Sequence, residues 1–164
     1  MENKPNRIIW HHSADPSTGH QADKINQDHK KKWNYKSILG YYGGYHILIE
    51  TDGTIFRYRA DNEIGAHDMG ENINSLGVAL AGNFNLTHPT REQEISFVKV
   101  IRDWISKYNI TMERVDPHRM DDATDCPGKL LLNSWPAETI KKHGQQNTRE
   151  VLEDVIKYIQ SKLI

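Results

Sequence analysis

Cys126 is the single cysteine in 164 residues, so no internal disulfide can staple this chain. The fold must rest on a hydrophobic core, and the length suits one domain built around one core. A reducing compartment is compatible with that cysteine usage. The thiol ends the stretch His118-Arg119-Met120-Asp121-Asp122-Ala123-Thr124-Asp125-Cys126, and Pro127-Gly128 then turns the chain. A lone cysteine is more often an inert buried side chain than a reactive one, so its neighbours decide its meaning.

Lysine and arginine total 21 against 22 acidic residues, a net charge of −1. Attraction to nucleic acid or an anionic surface needs a basic excess or patch, so no nucleic-acid partner is expected. Lys30-Lys31-Lys32 is the densest basic spot and reads as a solvated helix face. No apolar run approaches the ~18 residues of a membrane span, and Met1 to Arg7 lacks the apolar stretch of a secretory signal. The expectation is a soluble protein with no membrane partner, held in the cytoplasm of the producing cell.

Arg7 to His12 reads as a strand buried on both faces. A helix is expected over Asp23 to Trp33, where Ile25, His29 and Trp33 recur on one side. Tyr45 to Glu50 and Thr54 to Tyr58 read as an antiparallel pair around the Asp52-Gly53 turn, and Leu76 to Ala81 as a third core strand. Thr90 and Gln93 form a capping box ahead of a long helix with Ile95, Val98, Ile101, Ile105 and Tyr108 on its stripe. A short helix is expected at Lys129 to Ser134. A final one follows the Asn147/Glu150 capping box, with Val151, Leu152, Val155, Ile156, Ile159 and Leu163 on its apolar face. Such a face usually buries itself on its own domain. Strands mixed with helices imply an α/β or α+β sandwich around a central sheet.

His11 and His12 are neighbours in a strand, so their side chains point to opposite faces and at most one lines a given pocket. The step from His118 to Cys126, closed by Pro127-Gly128, can return both groups to one place. One thiolate with imidazoles suits zinc better than magnesium or calcium. Two imidazoles and one thiolate would leave a fourth tetrahedral position open, as catalytic sites do. Nine histidines make some accidental pairing expected, so spacing by itself leaves an inert cysteine equally open.

Five separated segments carry more. They are Ile9-Trp10-His11-His12-Ser13-Ala14, Gly44-Tyr45-His46-Ile47-Leu48-Ile49 with Asp52-Gly53-Thr54, Gly65-Ala66-His67, Asn74 through Gly82, and His118 through Gly128. In their order and approximate spacing they resemble the zinc-dependent N-acetylmuramoyl-L-alanine amidases of the type-2 class, which include T7-type phage lysozymes and peptidoglycan recognition proteins. The resemblance covers Arg7 to Trp135. It implies an α/β fold, a central mixed β-sheet flanked by helices. It implies a catalytic domain over 1–135; residues 136–164 lie outside it as a C-terminal extension, whose terminal helix is expected from its apolar face to dock on the same domain, the alternative being a partner.

The same resemblance implies His11, His118 and Cys126 as zinc ligands, Tyr45 as the catalytic tyrosine and Thr124 as a second catalytic position. It places His67 in the substrate groove. The implied reaction is hydrolysis of the amide between N-acetylmuramic acid and L-alanine in bacterial peptidoglycan, by a monomeric phage endolysin acting on the wall after release. Tyr45 would orient water or hydrogen-bond the developing oxyanion, because free tyrosinate is scarce for a phenol with pKa ~10. Thr124 would hydrogen-bond the tetrahedral intermediate.

One departure is visible. The family often has an acidic residue two positions after the second histidine, where this chain has Met120, leaving the adjacent Asp121 as a substitute. Taken one by one, Tyr45 could be a core aromatic and His67 a loop residue. His20, His88 and His143 read as surface groups, and His29 and His46 as packed ones. A non-catalytic recognition module is the alternative function, but recognition proteins of that kind typically lose the cysteine that is present here. T7-type relatives can also contact a polymerase, and nothing in this sequence bears on such a regulatory role. No His-Glu-x-x-His helix, nucleophile elbow or phosphate loop occurs, so protease, serine-hydrolase and nucleotide-binding readings lack support.

Overall fold

The computed structural model describes residues 2–144 and residue 156. Five strands form one mixed sheet: β1 (Arg7–His12), β2 (Ile47–Ile49), β3 (Ile55–Arg57), β4 (Ser75–Leu80) and β5 (Val115–Pro117), in the order β3-β2-β4-β1-β5. β2, β4, β1 and β5 run parallel, and β3 alone is antiparallel. β1 and β4 are buried along their whole length, as near-continuous apolar strands in the middle of a parallel sheet should be. The expected α/β class holds.

Alternation along β1 sorts the two faces. Ile8 and Trp10 turn toward α2 (Arg91–Tyr108), packing with Phe97, Val100, Ile101, Trp104 and Trp135. On the other face Leu48, Ala79 and Ala81 pack with Ala22 and Ile25 of α1 (Ala22–Trp33). The Thr90/Gln93 capping box forms as expected, both arms at 3.1 Å. The buried stripe of α2 differs from the expected one. Gln93, Phe97, Val100 and Trp104 face inward with Val98 and Ile101, whereas Ile95 is exposed. Gln93 pulls that face in, because its amide donates to the carbonyls of Ala81 (2.8 Å) and Ile49 (3.3 Å).

The expected helix at Lys129–Ser134 is absent. Those residues form turns, and the helix, α3, spans 135–144. Pro136 fits its first turn, where a missing N–H costs nothing. The inward face of α3 carries Trp135, Thr139, Ile140 and His143. His143 is therefore buried, contrary to the surface reading, and sits 2.8 Å from the Glu94 carboxylate on α2. The helix expected from the Asn147 capping box lies outside the described residues, apart from Ile156, which is helical and exposed. Among the described residues no helix is long and apolar enough to cross a membrane.

The start of α1 is decided from a distance. Gln21 provides no side-chain cap. Instead the buried Glu50 carboxylate, just past β2, accepts the backbone N–H groups of Gln21 (3.0 Å) and Ala22 (2.8 Å). This supplies acceptors and negative charge at the end of the helix that needs both. Glu50→Ala would strand those donors in a dry site, at an expected cost of about 2 kcal/mol. A urea titration against the parent protein checks this; an unchanged midpoint would show that the cap contributes nothing.

Candidate metal centre and groove

The register of two parallel strands assembles the centre. Trp10 of β1 is opposite Pro117 of β5, so the next residues, His11 and His118, emerge side by side at the carboxyl ends of adjacent strands. Their rings lie 4.5 Å apart. Crevices beyond the carboxyl ends of parallel strands are where open α/β sheets bind ligands.

Cys126 is delivered by the returning loop. The Arg119 N–H donates to the Cys126 carbonyl at 2.9 Å, and the Arg119 guanidinium holds the carbonyls of Gly128 (2.8 Å) and Leu131 (3.0 Å). Gly128 has a φ of +116°, and a Cβ there would lie 2.5 Å from the Phe84 carbonyl carbon, so the corner requires glycine. The Cys126 sulfur ends 3.7 Å from His11 Nδ1. Donor atoms of His11, His118 and Cys126 all lie within 4.8 Å of one another.

That donor set fits a soft divalent metal. Burial, with His67 and His118 nearby, holds the His11 pKa well below its ordinary value, so the imidazole is neutral and able to ligate. Burial pushes the Cys126 thiol up to about 12. The thiol therefore stays protonated at neutral pH until a cation displaces its proton.

His12 also borders the cavity, contrary to the expectation that only one of the neighbours would. Its Nδ1 is occupied, accepting the Phe84 N–H at 3.1 Å, and it is not among the clustered donors. The partner of His118 also differs from expectation. Asp121 is held by Arg7, which pairs with both its oxygens (2.8 and 2.9 Å) and with Asp116 (2.8 Å). Asp122 instead reaches His118 Nε2 at 3.1 Å. The four-residue step from His118 to Asp122 was the available signal.

The centre lies on the floor of a cavity of about 630 Å³. Tyr45 stands on one side, its ring 5.1 Å from that of His11 and 5.5 Å from that of His29. Burial raises the Tyr45 phenol pKa, and Cys126 adds to the rise, so the group is a donor at neutral pH. Thr124 is exposed on the rim, its hydroxyl oxygen accepting the Cys126 N–H at 3.2 Å. His67 lies inside the wall, with Nδ1 3.2 Å from His11 Nε2.

Other groups on the cavity wall were not legible beforehand. Lys32 and Trp33 form a basic and aromatic rim, with the Lys32 ammonium 4.6 Å from the Trp33 ring. Opposite in charge, Asp68 is buried with both oxygens lacking a donor among the described residues. Burial, then the neighbouring Asp121, pushes its pKa up to about 7. Asp68, His118 and Asp122 make a second group of clustered donors, sharing His118 with the first.

Comparison with known proteins agrees with this geometry. A family model described as N-acetylmuramoyl-L-alanine amidase matches residues 1–129. The human protein N-acetylmuramoyl-L-alanine amidase is 30% identical over 102 residues, which is 57% of this chain and 17% of that protein. This chain thus spans a small part of the human relative. Peptidoglycan-recognition protein SC2 of Drosophila melanogaster is 30% identical over 127 residues, 76% of this chain and 69% of that protein.

Among solved structures, N-acetylmuramoyl-L-alanine amidase LysC from Clostridium intestinale URNW superposes with a TM-score of 0.70 at 36% identity, covering 87% of each chain. The complex of tracheal cytotoxin with the ectodomains of peptidoglycan recognition proteins LCa and LCx shares the fold. Its TM-score is 0.69 at 23% identity, covering 80% of this chain and 81% of that one. A family match over residues 1–129, on a sheet that converges the imidazoles and the thiol, means that this chain belongs to the type-2 N-acetylmuramoyl-L-alanine amidase family, which also contains the peptidoglycan recognition proteins.

Proposed function

We propose that this chain is a zinc-dependent N-acetylmuramoyl-L-alanine amidase of the endolysin kind, a monomer whose macromolecular partner is bacterial peptidoglycan. The observation that carries the reading is the convergence of His11, His118 and Cys126 beside Tyr45 in one open cavity. A module that only recognises wall fragments has no need of the thiol. Localisation follows the same reading: the enzyme accumulates in the producing cell and meets the wall after release.

His11, His118 and Cys126 would hold the ion. Zinc so held supplies a Lewis acid for the scissile carbonyl and lowers the pKa of a bound water towards ~7. The remaining steps belong to the chain. Tyr45, kept protonated by burial, donates a hydrogen bond to the oxygen that gains charge as the amide becomes tetrahedral. Its partly buried ring makes the donor preorganised, a feature typically worth ~3 kcal/mol of barrier. Thr124 uses its oxygen to hold the Cys126 N–H, so its hydroxyl proton remains free for the same intermediate. His67 forms part of the groove wall. Lys32 and Trp33 offer a cation and an aromatic face to the carboxylates and sugar rings that peptidoglycan brings.

Digestion of purified cell wall tests the reading. Mass spectrometry is expected to show stem peptides with a free L-alanine amine and intact glycan strands, with release stopped by a chelator. Reducing sugar ends without new amines would replace this function with a glycosidase. Binding of wall without any cleavage would favour the recognition module.

The metal chemistry carries its own prediction. Zinc entering the apo site should displace about one proton per ion at pH 7, because the thiol starts protonated and His11 neutral. Apparent affinity then rises with pH, since fewer protons compete at higher pH. Cys126→Ser should abolish that proton release and most of the activity while leaving the circular dichroism spectrum unchanged. Parent-like zinc uptake by this variant would remove the sulfur from the ligand set.

A further inference from the structure

Hydrogen bonds in series behind His11 have only one consistent direction. The Ser75 hydroxyl donates to the Glu71 carbonyl at 2.7 Å, so its proton is committed. Toward His67 Nε2, 3.4 Å away, Ser75 can then only accept. His67 Nε2 therefore carries the ring proton, and His67 Nδ1 is bare, because the ring nitrogens of this buried imidazole meet only the Ser75 oxygen and His11, with no carboxylate among the described residues to pair a cation. That bare nitrogen faces His11 Nε2 at 3.2 Å, which must be the N–H of the pair. A neutral His11 is left with its lone pair on Nδ1, the nitrogen that faces the Cys126 sulfur.

We infer that Ser75 and His67 form a positioning relay that fixes the His11 tautomer, so that His11 presents Nδ1 to the metal. The inference rests on the metal-centre reading above. It assigns His67 a task other than substrate contact, since both its ring nitrogens are engaged inside the protein.

The surroundings are built for this ring. A Cβ at Gly65 or at Gly77 would lie 2.5 Å from His67 Cδ2, so the imidazole fills space that only two glycines leave. Gly77 is opposite Ile9 in the β1–β4 register, two positions before His11. The His67 backbone N–H is anchored on Asn72 Oδ1 at 2.8 Å. Ser75, His67 and His11 are all buried, at 0%, 8% and 1% exposure, so bulk water is not available to substitute for a missing partner. The opposite assignment would set bare His67 Nε2 against the Ser75 oxygen, lone pair against lone pair.

The relay is tested on protein labelled with nitrogen-15 histidine, by long-range proton–nitrogen correlation spectra. Metal-free protein should show His11 and His67 both as Nε2–H tautomers, and zinc should move the His11 Nδ1 signal. Ser75→Ala removes the acceptor with little change in volume. It should redistribute His67 between tautomers and weaken zinc binding about tenfold, read by competition with a chromophoric chelator.

His67→Ala should lose about 10- to 100-fold, and His67→Asn, whose carbonyl can take the Nδ1 role, should recover part of that loss. An Nδ1–H signal on His11 in the metal-free protein, or parent-like zinc affinity in both Ser75→Ala and His67→Ala, would overturn the relay. Parent protein that binds no zinc would instead sink the metal reading, and the metal-free spectrum would still decide the hydrogen-bond direction.

Discussion

The parallel pairing of β1 with β5 carries everything else in this molecule. With Trp10 opposite Pro117, residues more than a hundred positions apart leave the sheet as neighbours, and both are imidazoles. A slip of one residue would turn His11 to the opposite face, into the space under α2, because side chains alternate along a strand. The register is protected by burial. Ile8 and Trp10 fill the α2 side while Ile9 and His11 fill the other, so a one-residue shift would push His11 into the apolar layer under α2 and Trp10 out to the opposite face.

Around that pairing the chain spends buried polar groups freely, and most have partners. Arg7, at the first residue of β1, draws Asp116, Asp121 and Glu71 together across three loops and strands. The segment between His118 and Cys126 is thereby held at both ends, by Arg7 through Asp121 and by Arg119 through the carbonyls of Gly128 and Leu131. Two groups on the cavity wall are the informative ones. Asp68 is buried on the cavity wall with no donor among the described residues, and Cys126 is a thiol whose ionisation burial opposes. Burial of this kind is offset only by a cation or a proton, and it prepares the site for a metal by keeping its imidazole neutral.

Much of the site was readable in one dimension because its residues sit at the ends of recognisable elements. His11 closes an apolar strand, Tyr45 opens the run into β2, and His118 and Cys126 bracket a loop stopped by Pro127-Gly128. The capping box at Thr90 and the turn at Asp52-Gly53 were equally plain, since each depends on neighbours within four residues. What failed were contacts between elements. Periodicity puts Ile95 on the buried stripe, because it cannot see that Gln93 bonds to the carbonyls of Ile49 and Ala81. His143 looked like a surface residue until α3 set it against Glu94.

The sequence by itself determined strands β1 to β4, helices α1 and α2, the α/β class, and the identity of the two imidazoles, the thiol and the phenol that the family pattern marks. Those properties are written in local spacing and residue chemistry. Only the tertiary structure decided which partner each imidazole has: Asp122 and not Asp121 for His118, and His67 backed by Ser75 for His11. It alone showed that a carboxylate beyond β2 starts α1. Partner choice and proton position depend on distances between strands and loops remote in the chain, and hydrogen bonding falls off too steeply with distance and angle for residue order to specify it.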